Sequence, residues 1–173
     1  TDLLRWPGQQ CPGHFCWGAG YSPDIMKDEN ARDVKKMANA LVPEFAVSNF
    51  TDSKYFYCNI LGFTCEYERP EEGFAYLALG AAELMIDQIG TGRTFDGGHL
   101  PDAYPYGRGL NVQIQVADIA PMLAALNRED LALYLPLEEK WYRKGQCEVG
   151  NRQFVVADPD GYLLRFFQSL GQR

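Results

Sequence analysis

Apolar and polar residues alternate in residues 43–48, where small or polar neighbours flank Phe45 and Val47. A period of two is typical of a strand with one buried face. A helix is predicted next, because Thr51 can cap its first turn and an apolar stripe then runs to Gly62. Three further strands are predicted at residues 63–68, 74–79 and 83–88. Residues 40–90 therefore predict a βαβββ unit.

The same order returns in residues 108–170. Asp118 can cap a second helix. Strands are predicted at residues 110–116, 131–135, around 141–148, 154–157 and 162–168. The last two are joined by Asp158-Pro159-Asp160-Gly161, in which proline presets the first turn angle and glycine accepts a positive φ. This turn role explains both aspartates without catalysis. The predicted fold class is α+β with tandem βαβββ halves.

Residues 1–36 lack such a pattern, because prolines and glycines interrupt any period. We expect an irregular N-terminal arm outside the core fold, followed by a domain at residues 37–173. An alternative is that Met37 is the original start and the arm is upstream-encoded sequence. The segment between the halves, residues 90–108, has the length of a functional lid or a flexible link.

Charge and cysteine content narrow the classes of partner. Residues 1–36 hold equal numbers of acidic and basic residues, so the whole net charge of −7 belongs to residues 37–173. An acidic domain disfavours nucleic acid and anionic membranes and attracts cations. No apolar run approaches the roughly 20 residues that span a bilayer. Five irregularly spaced cysteines without a secretory signal favour free thiols and a cytoplasmic protein.

Three stretches carry a resemblance to a known family. They are residues 47–63 (VSNFTDSKYFYCNILGF), 74–87 (FAYLALGAAELMID) and 154–168 (FVVADPDGYLLRFFQ). With the duplicated βαβββ order, the chain resembles the glyoxalase/bleomycin resistance protein/dioxygenase, or vicinal oxygen chelate, superfamily, and within it the bleomycin-resistance-like proteins. The resemblance implies curved mixed sheets that form a cleft, and a homodimer in which the partner helps to build each cleft.

Members of this superfamily with metal chemistry have four ligand places, on the first and last strands of each half. The resemblance carries these places onto Val42, Asp87, Asn111 and Arg165, of which only Asp87 suits a divalent metal. The two histidines, His14 and His99, lie in predicted irregular segments and form no pair on facing strands. We therefore expect no metal, no cofactor and no catalytic residue.

Strand parity predicts which side chains line the cleft, because residues two apart in a strand share a face. The first half contributes Glu44 and Asp87, and the second half contributes Asn111, Gln113 and Arg165. The alternative interpretation is that these residues are simply the solvated side of a half-exposed sheet.

Aromatic residues are the second predicted component of the site. Tyr76, Trp141 and Tyr142 are candidate ligand contacts, and Phe95, Tyr104 and Tyr106 are candidate loop contacts. Aromatic rings beside carboxylates suit a planar or cationic ligand. The alternative is that some of these aromatics are core or dimer-contact residues.

The leading hypothesis is a metal-free binding protein of the bleomycin-resistance type. It would sequester a cationic or aromatic small molecule, such as a bleomycin-like antibiotic, without making or breaking a bond. The first alternative is a lyase, isomerase or dioxygenase of the same superfamily that uses a divalent metal with atypical ligands. A second alternative is a binding protein whose natural ligand is unrelated to bleomycin.

Overall fold

The computed structural model describes residues 39–92 and 98–173. They form two successive βαβββ units, each with its own mixed four-stranded sheet. The first unit comprises β1 (Glu44–Val47), α1 (Phe50–Tyr55), β2 (Thr64–Arg69), β3 (Phe74–Leu79) and β4 (Ala82–Gln88). The second comprises β5 (Asn111–Gln115), α2 (Ala120–Arg128), β6 (Leu135–Lys144), β7 (Cys147–Ala157) and β8 (Leu163–Gln172). The predicted α+β fold with tandem βαβββ halves is confirmed, and the predicted arm at residues 1–36 lies outside the described residues.

The two sheets have the same topology. The strand orders are β1-β4-β3-β2 in the first sheet and β5-β8-β7-β6 in the second. In each sheet the first strand of the unit runs parallel to the last strand, and the other pairings are antiparallel. Equivalent positions of the two halves therefore occupy equivalent places in their sheets. Among the described residues, no helix is long and apolar enough to cross a membrane.

The first helix begins one residue before the predicted cap, and its N-cap lies two residues before it. Asn49 is the N-cap, and its Oδ1 accepts hydrogen bonds from the backbone N–H of Thr51 at 2.9 Å and of Asp52 at 3.2 Å. The prediction of Thr51 as the cap is therefore wrong, although asparagine serves the same purpose. A π-helical segment, Phe56–Ile60, continues α1. Gly62 follows with φ +80°, so the predicted glycine stop is confirmed.

The second half corrects the strand predictions at residues 131–135 and 141–148. Residues 131–133 lie outside any strand, and β6 instead runs from Leu135 to Lys144. Lys144 pairs with Cys147, which leaves a two-residue hairpin loop at Gly145 and Gln146. Gly145 has φ +66°, a conformation that glycine adopts at no steric cost and that tight hairpins require. The predicted strand at 141–148 therefore spans a turn, and three strands follow α2.

The core confirms the predicted strand parity. Phe45, Val47, Leu84 and Ile86 of the first sheet are at most 2% exposed, and so are Leu164 and Phe166 of the second. These side chains belong to one continuous hydrophobic cluster that includes residues of both halves. One of its contacts joins the halves directly, since the ring of Phe45 stacks on Tyr162 at a centroid distance of 4.4 Å. The opposite faces of the sheets remain for polar side chains.

The turn between β7 and β8 links the two halves. Asp158 and Asp160 are 3% and 2% exposed. Tyr57 Oη donates to Asp158 Oδ2 at 2.8 Å, and Asp160 accepts from Ser48 N at 3.0 Å and from Ser53 Oγ at 3.3 Å. Within the turn, Asp158 Oδ1 accepts from the backbone N–H groups of Asp160 and Tyr162. Both aspartates therefore have a structural role that goes beyond shaping the turn.

Candidate ligand-binding site

The polar face of the first sheet carries a pocket of about 560 Å³. Glu44 on β1 lies beside Met85 on β4, and Ala46 lies beside Asp87, so the two carboxylates are diagonal neighbours on one face. Phe74 on β3 is the cross-strand partner of Asp87. We call this the first-sheet pocket; its lining consists of Glu44, Tyr67, Arg69, Glu72, Phe74, Met85, Asp87, Thr91 and Gly92.

The pocket lining has two aromatic residues, Phe74 on β3 and Tyr67 on β2, and the sequence interpretation did not assign β2 to the site. Tyr67 is 51% exposed and stacks on Tyr76 with centroids 5.1 Å apart and planes at 17°. The Arg69 guanidinium carbon lies 3.9 Å from the centroid of Phe74, and Arg69 Nε donates to Glu72 at 2.6 Å. Tyr67 and Arg69 share the parity that faces the pocket, but this follows only from the pairing of β2 with β3.

Tyr76, a predicted contact, does not line the pocket, but its ring supports Tyr67. Its Oη donates to Glu83 Oε2 at 2.8 Å. This hydrogen bond raises the pKa of Tyr76 to about 12, because an ionised phenol would lie against the carboxylate. The backbone N–H of Asn39 donates to the same Glu83 oxygen at 3.1 Å. Tyr76 is therefore a fixed, neutral ring on which Tyr67 stacks.

Gly92 brings the backbone close to the acidic end of the pocket. A Cβ atom at this position would meet Glu72 O at 2.8 Å and Asp87 Oδ1 at 3.5 Å. A larger residue would push into the space between these two oxygens. Glycine at this position therefore lets the chain close tightly beside Asp87.

The second sheet collects the other polar residues predicted from parity. Gln113 on β5 is the cross-strand partner of Arg165 on β8, and Asn111 precedes Gln113 on the same face. The buried side chain of Gln153 was missed by the sequence interpretation. Its Nε2 donates to Glu138 Oε1 at 2.7 Å and to Tyr142 Oη at 2.6 Å. Tyr142 is therefore part of a hydrogen-bonded group on this face.

Trp141 points to the opposite face from its neighbour Tyr142. It pairs with Gly150, where a Cβ atom would lie 2.8 Å from three atoms of the indole ring. The guanidinium carbon of Arg173 lies 4.1 Å from the centre of the Trp141 ring. The structure therefore does not bring Trp141 together with the other predicted contacts.

Tyr104 and Tyr106, two of the predicted loop contacts, do not line the first-sheet pocket. Tyr104 is 61% exposed and lines another pocket of about 340 Å³ with Tyr134 and Leu163. Tyr106 packs against the core, and its N–H donates to Asp160 O at 2.9 Å. Phe95 lies outside the described residues.

The donors present do not fit the metal site of the superfamily. Of the four carried-over ligand places, Val42 offers no donor, Asn111 offers only a weak amide oxygen, and Arg165 brings a cation that repels metal ions. Within residues 39–92 and 98–173, no group of three or more histidine, cysteine, aspartate or glutamate side chains is placed to hold a metal. His14 lies outside these ranges, and His99 is exposed.

Comparison with known proteins supports the family resemblance. No family model matches the chain. The chain is 27% identical over 137 residues to the bleomycin resistance protein of Geobacillus stearothermophilus, covering 75% of this chain and 96% of that protein. It is 36% identical to a solved glyoxalase/bleomycin resistance protein/dioxygenase superfamily member from Vibrio splendidus 12B01, covering 75% and 97% of the two chains with a TM-score of 0.34.

A further solved structure shares the fold. TioX from Micromonospora sp. ML1 is 20% identical, covers 76% of this chain and 100% of its own, and superimposes with a TM-score of 0.56. With the tandem βαβββ units and the sequence identities above, the class of protein is defined. The chain belongs to the glyoxalase/bleomycin resistance protein/dioxygenase superfamily, as a bleomycin-resistance-like member.

Proposed function

We propose that this protein binds a small molecule with a positive charge and a planar group in the first-sheet pocket, and that it acts by sequestration. The observation that carries the proposal is the combination of Glu44 and Asp87 with the exposed ring of Tyr67 in one pocket. Carboxylates attract a cation, and a fixed aromatic ring offers a flat surface to a planar group. Bleomycin-like antibiotics are the first ligands to test, because the chain is similar to proteins named for bleomycin resistance.

The negative charge of the chain favours capture of such a ligand. Its net charge is −7, and the first sheet carries Glu44, Glu83 and Asp87 on its polar face. Long-range attraction raises the association rate of a cation and weakens as salt screens it. Binding would take place in the cytosol, where the thiols of Cys58, Cys65 and Cys147, which are free in the structure, remain reduced.

The metal-dependent enzyme is the weaker candidate, because Arg165 occupies one ligand place and Val42 another. Sequestration needs only the pocket and no reacting group. We also propose a homodimer, which rests on the family resemblance. Light scattering coupled to size exclusion tests it, and a monomeric mass at micromolar concentration would contradict it.

Calorimetric titration with bleomycin at low salt and neutral pH tests the proposed function. We expect saturable heat in the wild type and at least a tenfold loss of affinity in Asp87→Asn, because one pocket carboxylate becomes neutral. The matched control is Asp130→Asn, which removes the same charge from an exposed residue whose φ of +53° asparagine tolerates. Absence of saturable heat, or equal losses in the two variants, contradicts the proposal.

A further inference from the structure

The polar face of the second sheet differs in charge from that of the first. The first sheet places Glu44, Glu83 and Asp87 on its polar face. At the centre of the second sheet, Arg165 lies between Gln113 on β5 and Val155 on β7. Neither neighbour can neutralise a cation. The polar face of the first sheet therefore carries three carboxylates, and that of the second sheet presents a cation at its centre.

Arg165 has no ion-pair partner among residues 39–92 and 98–173. The ion pairs described there join Lys54 to Glu68, Arg69 to Glu72, Arg152 to Glu139 and Arg173 to Glu148. Each of these basic side chains is one-third or more exposed. Arg165 is half-buried, and its Nε atom is enclosed without a hydrogen-bond partner among the same residues. Arg165 is thus a half-buried cation that forms no ion pair within the part of the chain that the structure describes.

The acid on this face, Glu138, already has a partner. Its Oε1 accepts from Nε2 of Gln153, which is 1% exposed, at 2.7 Å. The second amide hydrogen of Gln153 is directed to Tyr142 Oη at 2.6 Å. Glu138 lies on β6, and β7 separates that strand from Arg165 on β8. Glu138 is therefore held by Gln153 and does not neutralise Arg165.

A half-buried cation without an acid is costly unless another group compensates it. With Nε enclosed, the terminal amino groups of Arg165 are the donors that remain for a ligand. Guanidinium groups bind carboxylate and phosphate oxygens through two parallel hydrogen bonds. The exposed amides of Gln113 and Asn111 lie on the same face and add further donors.

We propose that the face around Arg165, Gln113 and Asn111 is a binding site for the oxyanion of a small molecule, a carboxylate or a phosphate. It lies on a different sheet from the first-sheet pocket and does not depend on the ligand proposed for that pocket. A single ligand that reached both sheets would carry both charges.

The buried Nε–H of Arg165 allows a direct test. We would titrate the ¹⁵N-labelled full chain with phenyl phosphate at constant ionic strength and follow the arginine Nε–H resonances, with benzyl alcohol as the neutral control. We expect a saturable shift of the Arg165 resonance with phenyl phosphate and none with benzyl alcohol. No saturable shift, or an equal shift at exposed Arg143, overturns the proposal.

Matched variants distinguish a specific site from a nonspecific effect of charge. Arg165→Gln is expected to lower the affinity for phenyl phosphate at least tenfold, whereas Arg143→Gln, with the same loss of charge, leaves it unchanged. Arg165→Lys keeps the charge but loses the paired donors and should fall between wild type and Arg165→Gln. Equal losses in Arg165→Gln and Arg143→Gln refute the site. Asp87→Asn should leave phenyl phosphate binding intact, so this result is independent of the bleomycin titration.

Discussion

Gly150 lies directly under the ring of Trp141, with no space for a side chain. A Cβ atom there would lie 2.8 Å from Cη2, Cζ2 and Cζ3 of the indole. The backbone φ of Gly150 is not positive, so an alanine is allowed by the backbone and excluded by packing. The requirement for glycine comes from one cross-strand neighbour.

Gly150→Ala should therefore destabilise the protein. We expect a loss of about 1–3 kcal/mol in the free energy of unfolding, the usual range for an overpacked site, measured by urea denaturation. The control is the same substitution in a Trp141→Leu background, where the clash is relieved and the loss should shrink to about 0.5 kcal/mol or less. Equal losses in both backgrounds would show that Trp141 is not the cause.

At the scale of elements, the start of α1 depends on a side chain outside the helix. Asn49 Oδ1 satisfies two backbone N–H groups that have no partner within the helix. Both Asn49 and Thr51 are residue types that cap helices. The structure assigns the role to Asn49, because β1 ends at Val47 and the backbone at Asn49 is extended, with φ −140°.

Asn49→Ala should lower the free energy of unfolding by about 1 kcal/mol, the typical value of an N-cap. Asn49→Asp keeps an acceptor oxygen at the N-terminus of the helix and should remain close to wild type. Thr51→Ala is a matched test of the alternative cap and should cost less than about 0.5 kcal/mol. If Thr51→Ala is the more damaging substitution in thermal or urea unfolding, the assignment of Asn49 is wrong.

At the scale of the whole molecule, the turn at Asp158 and Asp160 joins the two halves through buried hydrogen bonds. Burial raises the pKa of Asp158 to about 6, against hydrogen bonds from Tyr57 and from the backbone that lower it. The unfolded chain has the ordinary aspartate pKa of 3.8. The folded protein therefore holds this proton more tightly. The contribution of the protonated Asp158 to the free energy of unfolding is complete below pH 3.8 and is lost as the pH rises through about 6.

The free energy of unfolding of the wild type should fall, relative to Asp158→Asn, between pH 4.5 and pH 7.5. Each unit between the folded and unfolded pKa corresponds to about 1.4 kcal/mol, so the fall is on the order of 2–3 kcal/mol. Urea denaturation of both proteins across this range measures it. The comparison isolates Asp158, because the other carboxylates titrate in both proteins. Parallel pH profiles would contradict the raised pKa.

Local pattern was sufficient for much of the architecture. The alternation of Phe45 with Val47 and of Leu84 with Ile86 predicted which strand faces are buried, because burial of one face imposes a period of two on any register. The turn at residues 158–161 and the end of the helix at Gly62 could also be predicted, because the backbone angles at both places depend on the local residue types. The hairpin at Gly145 was missed because its loop has only two residues, so a predicted strand can run across it without a break in the local pattern.

Only the tertiary structure decided how the candidate site is assembled. Tyr67 and Arg69 enter the pocket because β2 pairs with β3, a relation between separate segments that no local period contains. Trp141 leaves the predicted site because a bulge in β6 and the hairpin register set its face. The sequence by itself determined that Glu44, Asp87 and Arg165 lie on polar faces. Strand order decided which of them share a sheet, because pairing alone decides which side chains become neighbours. Only the structure shows that Arg165 forms no ion pair among the described residues.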